Sequence, residues 1–223
     1  MTELSVDFKD MLEAFGAPNT YGRPDSVHIK QLRDKIPTTL VDFWLLHGWC
    51  SLLDGQLWLP NPDDFADLME LIFVDDPKVD HTKCHLIAYS AFGQCWIWSE
   101  EFQNVSISLI RGWVFSSALV DGEISEYPDN LVTSFAGAFK TDHYDQVDSK
   151  DKKLFARAKR KYGALEPGEC YGFFPAIAIG GSGNLENIQR VSALEHFALL
   201  SQMGPLTLMK FEGATMVPVR TIG

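Results

Sequence analysis

No apolar run in this sequence approaches the roughly 20 residues needed to span a bilayer, which excludes a helical membrane anchor within it. Residues 1–10 lack the charged-then-apolar layout of a secretory leader, so the cytoplasm is the expected compartment. There are only four cysteines, Cys50, Cys84, Cys95 and Cys170, widely spread and without a CxxC pair. That spacing argues against a disulfide framework or a zinc ribbon, and reduced, buried thiols are expected instead. No internal repeat and no low-complexity tract occurs. G-x-S-x-G, H-E-x-x-H and the kinase signatures are all missing, although catalytic groups scattered along a chain would leave no such motif.

What is present is an ordinary globular composition with a lopsided charge. An apolar share of 46% and a charged share of 22% over 223 residues suit one large domain or two small ones. Residues 1–150 carry 10 Lys and Arg against 24 Asp and Glu, whereas residues 151–223 carry 9 against 6. Such acidity repels phosphates, so the first 150 residues are poorly suited to gripping nucleic acid and better suited to a basic partner.

The apolar spacing of Leu4, Phe8, Met11, Leu12 and Phe15 predicts a helix that stops at Gly16-Ala-Pro18. Further helices are expected over 26–35, from Pro37 to Gly48, and from Asn61-Pro62 to about residue 73. The middle reads as strands: 85–89 and 94–98 around a turn at 91–93, then 105–110 and 113–120, with Asp121-Gly122 turning into another strand. Helix returns from Asp129. Residues 141–153 form the best linker, and a basic helix follows over 153–162. A strand over 173–179, a glycine turn, a helix over 184–203 and a hairpin around Gly213 close the chain.

Five groupings of residues bear on chemistry. The Gly180-Gly-Ser-Gly183 turn, set between a strand and a helix, has the context of an anion site. It lacks the third glycine of G-x-G-x-x-G and the lysine of a P-loop, so a packing role is expected. His81, Cys84, His85 and Cys95 hold zinc-type ligands, but Cys84 and His85 are adjacent and point to opposite faces of a strand. No metal and no cofactor is therefore expected. Asp142, His143 and Asp145 cluster in the linker, which supplies no rigid scaffold for catalysis. The acidic segment Asp63, Asp64, Asp67, Glu70, Asp75, Asp76 and Asp80 is the most one-signed part of the chain. Helix capping accounts for Asp63 and Asp64 but less well for the rest. The basic cluster Lys150, Lys152, Lys153, Arg157, Lys159, Arg160 and Lys161 is either a solvated helix face or a DNA contact, for which Lys152, Lys153, Arg157 and Arg160 are the candidates.

Two passages together resemble a bacterial family. Ile36-Pro-Thr-Thr-Leu-Val-Asp-Phe-Trp-Leu-Leu-His-Gly48, followed by Asp54-Gly-Gln-Leu-Trp-Leu-Pro-Asn-Pro-Asp-Asp-Phe65, resembles a GAD-like domain. Glu169-Cys-Tyr-Gly-Phe-Phe-Pro-Ala-Ile-Ala-Ile-Gly-Gly181 is similar to the C-terminal domain that accompanies it. Proteins with this pair resemble the immunity proteins encoded beside type VI secretion DNase toxins. The resemblance implies a binding protein rather than an enzyme, whose partner is a cognate nuclease toxin.

An α+β fold is expected, with mixed helices, a central mainly antiparallel sheet and a smaller α/β C-terminal module packed on it. The domain limits are 1–140 for the GAD-like part and 150–223 for the C-terminal part. Asp63, Asp64, Asp67, Glu70, Asp75 and Asp76 are the expected partner contacts, with Trp49 and Trp58 as anchors if exposed. The alternatives are a DNA-binding autoregulator using the basic helix 150–162, and an enzyme acting on a nucleotide at the Gly180 turn.

Overall fold

The structure, a computed structural model, describes residues 4–139 and 144–223. α1 (Val6–Phe15) starts where the Ser5 hydroxyl accepts the Phe8 N–H, and it buries Phe8, Met11 and Phe15. After β1 (Asn19–Gly22), the Asp25 carboxylate caps α2 (Ser26–Arg33) by accepting the Val27 and His28 N–H groups. α3 (Thr38–His47) sinks Leu40, Val41, Phe43 and Trp44 into the core and ends at Gly48. A side chain at Gly48 would place Cβ 2.2 Å from the Gly22 carbonyl oxygen at a φ of +73°, so only glycine fits there.

The chain then lays down β2 (Trp49–Leu52) and β3 (Leu57–Leu59), a 3-10 turn at Pro62–Phe65, and α4 (Ala66–Phe73). Asn61 caps that turn as the Asn-Pro signal predicts, but the first turn is 3-10 rather than α. β4 (Cys84–Ser90), β5 (Gln94–Ser99) and β6 (Gln103–Ser108) form the expected antiparallel meander. The strand expected to run to residue 120 is short. β7 (Trp113–Phe115) stops at Ser116, whose hydroxyl accepts the Leu119 N–H and opens α5 (Ser117–Asp121). Gly122, at a φ of 75°, caps that helix, and no strand follows it. α6 (Pro128–Leu131) and a 3-10 stretch complete this half.

Past residue 144, α7 (Phe155–Tyr162) leads to β8 (Glu169–Phe173), which pairs antiparallel with β9 (Ile188–Ser192), and α8 (Ala193–Gln202) packs beside them. β10 (Leu206–Glu212) and β11 (Thr215–Ile222) form the closing hairpin. The hairpin does not stay within a separate module. β10 pairs in parallel with β7, through Thr207 opposite Trp113 and Leu208 opposite Val114. The main sheet is therefore nine-stranded, ordered β1-β2-β3-β4-β5-β6-β7-β10-β11, and both halves of the chain build it.

Helices cover the two faces unequally. α4 and α8 close one face over Leu86, Ile97, Val105, Ile107 and Leu208. α1 and α3 close the other over Ile87, Trp98, Leu57 and Leu59, which is the half of that face nearer β1. β4 is buried along its whole length because it lies between both layers. A third small core, Phe92, Phe155, Tyr171 and Phe173, docks β8 on the β4–β5 turn, where the Tyr171 N–H donates to the Ala91 carbonyl at 2.8 Å.

Candidate partner-binding surface

The glycine motif is a corner inside the β8–β9 connection, not an entry into a helix. After β8 come a cis Phe174-Pro175 bond, a 3-10 turn at Ile177–Ile179 and the glycines; β9 intervenes before α8. Asn187 closes the corner, donating its side-chain amide to the Phe174 carbonyl (2.9 Å), while its own carbonyl accepts the Phe174 N–H (2.7 Å). Gly181 is required because a Cβ there would lie 1.8 Å from the Pro175 carbonyl oxygen. The first turn of α8 is already occupied by the Ser192 hydroxyl and carries Glu195, an arrangement that repels phosphate. The strand-turn-helix geometry that would support a nucleotide site is thus replaced by strand-corner-strand.

The four thiols are buried, and burial raises each of them; Cys50 and Cys84 reach about 12. Among the described residues no group of three or more His, Cys, Asp or Glu is placed to hold a metal ion. Asp145 accepts the N–H groups of Leu154 and Phe155 at the start of α7, which gives it a capping role; Asp142 and His143 lie outside the described residues.

The acidic segment divides into spent and available charges. Asp63 lies 3.0 Å from His28 Nε2, and Asp64 accepts the Asn61 side-chain amide at 3.1 Å. Asp67, Glu70 and Asp75 are exposed and have no ion-pair partner among the described residues. Asp76 departs from the expected role as a contact: its side chain is fully buried and ion-paired with Arg220 on β11. Burial alone would raise its carboxyl, but the Arg220 hydrogen bond, the Lys78 N–H and the Arg220 charge outweigh that and leave it below the ordinary carboxylate range. Trp49 and Trp58 are buried too, at 6% and 2% exposure, so neither is available as a surface anchor. Trp58 Nε1 donates to the Gly55 carbonyl, and Trp49 packs edge-on against Trp44.

The basic helix is partly neutralised from within. Arg157 pairs with Asp148 at 2.5 Å, Lys159 pairs with Asp54, and Lys161 lies over the Tyr162 ring. Of the DNA-contact candidates, Lys152, Lys153 and Arg160 are exposed, while Arg157 is half-buried. Phosphate contact through Arg157 would require breaking a pair that holds the Asp148 carboxyl down at about 2, with the Arg157 hydrogen bond as the largest cause.

These titrations set an expected pH profile. Burial lowers His196, and burial with the nearby Arg23 charge lowers His47, so the unfolded chain takes up protons at both histidines more readily than the fold does. Stability is therefore expected to fall as pH drops through the ordinary histidine range near about 6.5. A second loss is expected as pH falls from about 4 toward 2, when Asp76 and Asp148 protonate. Urea denaturation of the protein and of His196→Gln at pH 8, 6 and 4 checks the sign: the variant is expected to flatten the upper window only.

One surface was not anticipated from the sequence. Beyond β5 the face that α1 and α3 cover elsewhere is less fully covered: in the cross-strand row Trp96, Ser106 and Phe115, Trp96 still meets that core and the Tyr144 ring, whereas Ser106 and Phe115 are half-exposed. At its end, hollows of about 240 and 520 Å3 meet at Phe115, Ser116 and Ser117. The ring of Phe211, 64% exposed, stacks on Phe115 at 5.9 Å. The alternating burial of β6 and β7 was readable in the sequence, but the parallel pairing that brings Phe211 beside Phe115 was not.

Family models match the chain in two stretches: a GAD-like domain over residues 6–111, and the C-terminal domain of the T6SS immunity protein Tdi1 over residues 129–204. Among solved structures, the crystal structure of Atu4351 from Agrobacterium tumefaciens is similar with a TM-score of 0.88 and 25% sequence identity, over 97% of this chain and 98% of that one. No curated protein matches the chain. No helix among the described residues is long and apolar enough to cross a membrane.

Proposed function

The chain belongs with the type VI secretion immunity proteins that join a GAD-like domain to the Tdi1 C-terminal domain, and from that premise we propose that it binds and neutralises a cognate nuclease toxin. Inhibition is stoichiometric, through a protein–protein complex formed in the cytoplasm, where such a toxin would meet DNA. The observation that carries the reading beyond the family is the charge. The net balance of −11 is concentrated in residues 1–150, and α4 and the loop after it present Asp67, Glu70 and Asp75 to solvent without ion-pair partners among the described residues. A nuclease must hold a polyanion, so its active face is basic. An acidic surface is drawn to that face over distances set by the Debye length.

Co-expression with the toxin encoded by the adjacent gene is expected to restore growth and yield a complex that survives gel filtration. Absence of both protection and complex would defeat the reading. The role assigned to α4 is steering, and it predicts a kinetic signature. The association rate constant is expected to fall about tenfold or more between about 50 and 500 mM salt. Reversing Asp67, Glu70 and Asp75 to lysine is expected to slow association at low salt while leaving dissociation within about twofold. A salt-independent association rate would remove the steering role without touching the complex itself.

A further inference from the structure

We propose that the toxin is anchored not on α4 but in the groove between the β7–β10 end of the sheet and the 117–125 segment, which accepts an apolar side chain flanked by lysine or arginine. The proposal rests on the toxin-binding reading above and assigns its surface.

β6 buries Gln103, Val105 and Ile107 and leaves Asn104, Ser106 and Ser108 half-exposed, while β7 buries Val114 and leaves Trp113 and Phe115 half-exposed. This alternation leaves an aromatic and small-polar face beyond α1 and α3, bordered by α6 where the Asn104 side-chain amide donates to the Leu131 carbonyl at 2.7 Å. Phe211 and Ile124 are 64% and 56% exposed, and they border hollows that share Ser117. Large aromatic side chains held on strands are rigid anchors that lose little freedom on binding, and binding energy concentrates in such residues.

Charge selects the occupant. Asp121 and Glu123 are exposed at the rim and have no ion-pair partner among the described residues, whereas Lys210 is already held by Glu212 at 2.7 Å. An apolar centre inside an acidic rim fits a partner whose apolar tip is ringed by basic groups. A second copy of this chain would oppose acid to acid across a symmetric contact, and nucleic acid or an anionic membrane surface would be repelled.

The test measures dissociation of the complex with the adjacent gene's toxin. Phe211→Ser and Ile124→Ser remove exposed side chains, so their melting curves are expected to match the parent. Phe211→Ser is expected to speed dissociation about 30-fold, the scale of an interface hot spot. Asp121→Lys with Glu123→Lys is expected to weaken binding as well, whereas the α4 reversals leave the dissociation rate unchanged. If the parent protein binds and both Phe211→Ser and Ile124→Ser dissociate within about twofold of it, the groove is not the anchor and the proposal is overturned while the toxin-binding reading stands. Loss of self-association in Phe211→Ser, with toxin binding intact, overturns it in favour of a homodimer face. If the parent forms no complex, the functional reading fails and this inference falls with it.

Discussion

Replacing Asp76 by alanine is expected to lower the unfolding free energy by about 3 kcal/mol, the lower part of the range for a broken buried ion pair. The Asp76 side chain is fully buried, and the guanidinium of Arg220 reaches it from 144 positions away on β11. The carboxylate also accepts the Lys78 N–H at 2.9 Å and the Gly223 N–H at 3.4 Å, so it fastens the end of the closing hairpin to the loop after α4. Its removal leaves those N–H groups without their acceptor and Arg220 without its counter-ion. The cost stays at the lower end because Arg220 keeps 23% of its side chain in solvent and can rehydrate. Asp76→Ala combined with Arg220→Met is expected to recover at least half the loss, since an apolar pair needs no desolvated charge to be balanced. Urea denaturation of the single and double variants checks this. A single variant within about 0.5 kcal/mol of the parent would show that the clamp is not holding the hairpin. Toxin affinity per folded molecule is expected to be unchanged in Asp76→Asn, which separates this acid from its exposed neighbours Asp67, Glu70 and Asp75.

Asp76 also shows where sequence reasoning reaches its limit. It stands among Asp75, Lys78 and Asp80, and local context places it on a charged surface. Only the tertiary pairing with Arg220 buries it, and nothing local signals a partner on the last strand. Trp49 and Trp58 missed for a related reason: they lie in short strands, β2 and β3, that look like edges in isolation but are covered by packed aromatics, Trp44 and Tyr89. By contrast, α1, α3, the β4–β5 hairpin and the closing hairpin were legible because each is written in one contiguous stretch of periodicity with its own cap or turn. The 113–120 segment reads as a strand on those terms, and only 113–115 is one. An apolar run of that length fits a strand, and Ser116 decides against it by offering a helix cap. The exposed groove follows from both failures. It needs the short β7, the helix that replaces the rest of the strand, and a parallel partner from the far end of the chain.

The second large effect lies in the glycine corner and separates close packing from backbone freedom. Gly181→Ala is expected to cost about 3 kcal/mol or more. Its Cβ would stand 1.8 Å from the Pro175 oxygen, 2.5 Å from the Pro175 carbonyl carbon and 2.7 Å from the Ala176 oxygen, and backbone atoms cannot swing aside as a side chain can. Gly180→Ala meets nothing within 4 Å but must hold a φ of +90°, which costs only about 1 kcal/mol. Gly172→Ala lies between these, because its Cβ would press at 2.7 Å on the imidazole of the buried His196, a group that can move only at the expense of its own packing. The expected order of destabilisation in urea is therefore Gly181, then Gly172, then Gly180. Equal losses at Gly180 and Gly181 would mean that left-handed backbone conformation, not contact, makes the corner demand glycine. The expected order makes the double glycine a joint that lets the β8–β9 connection fold back onto Pro175.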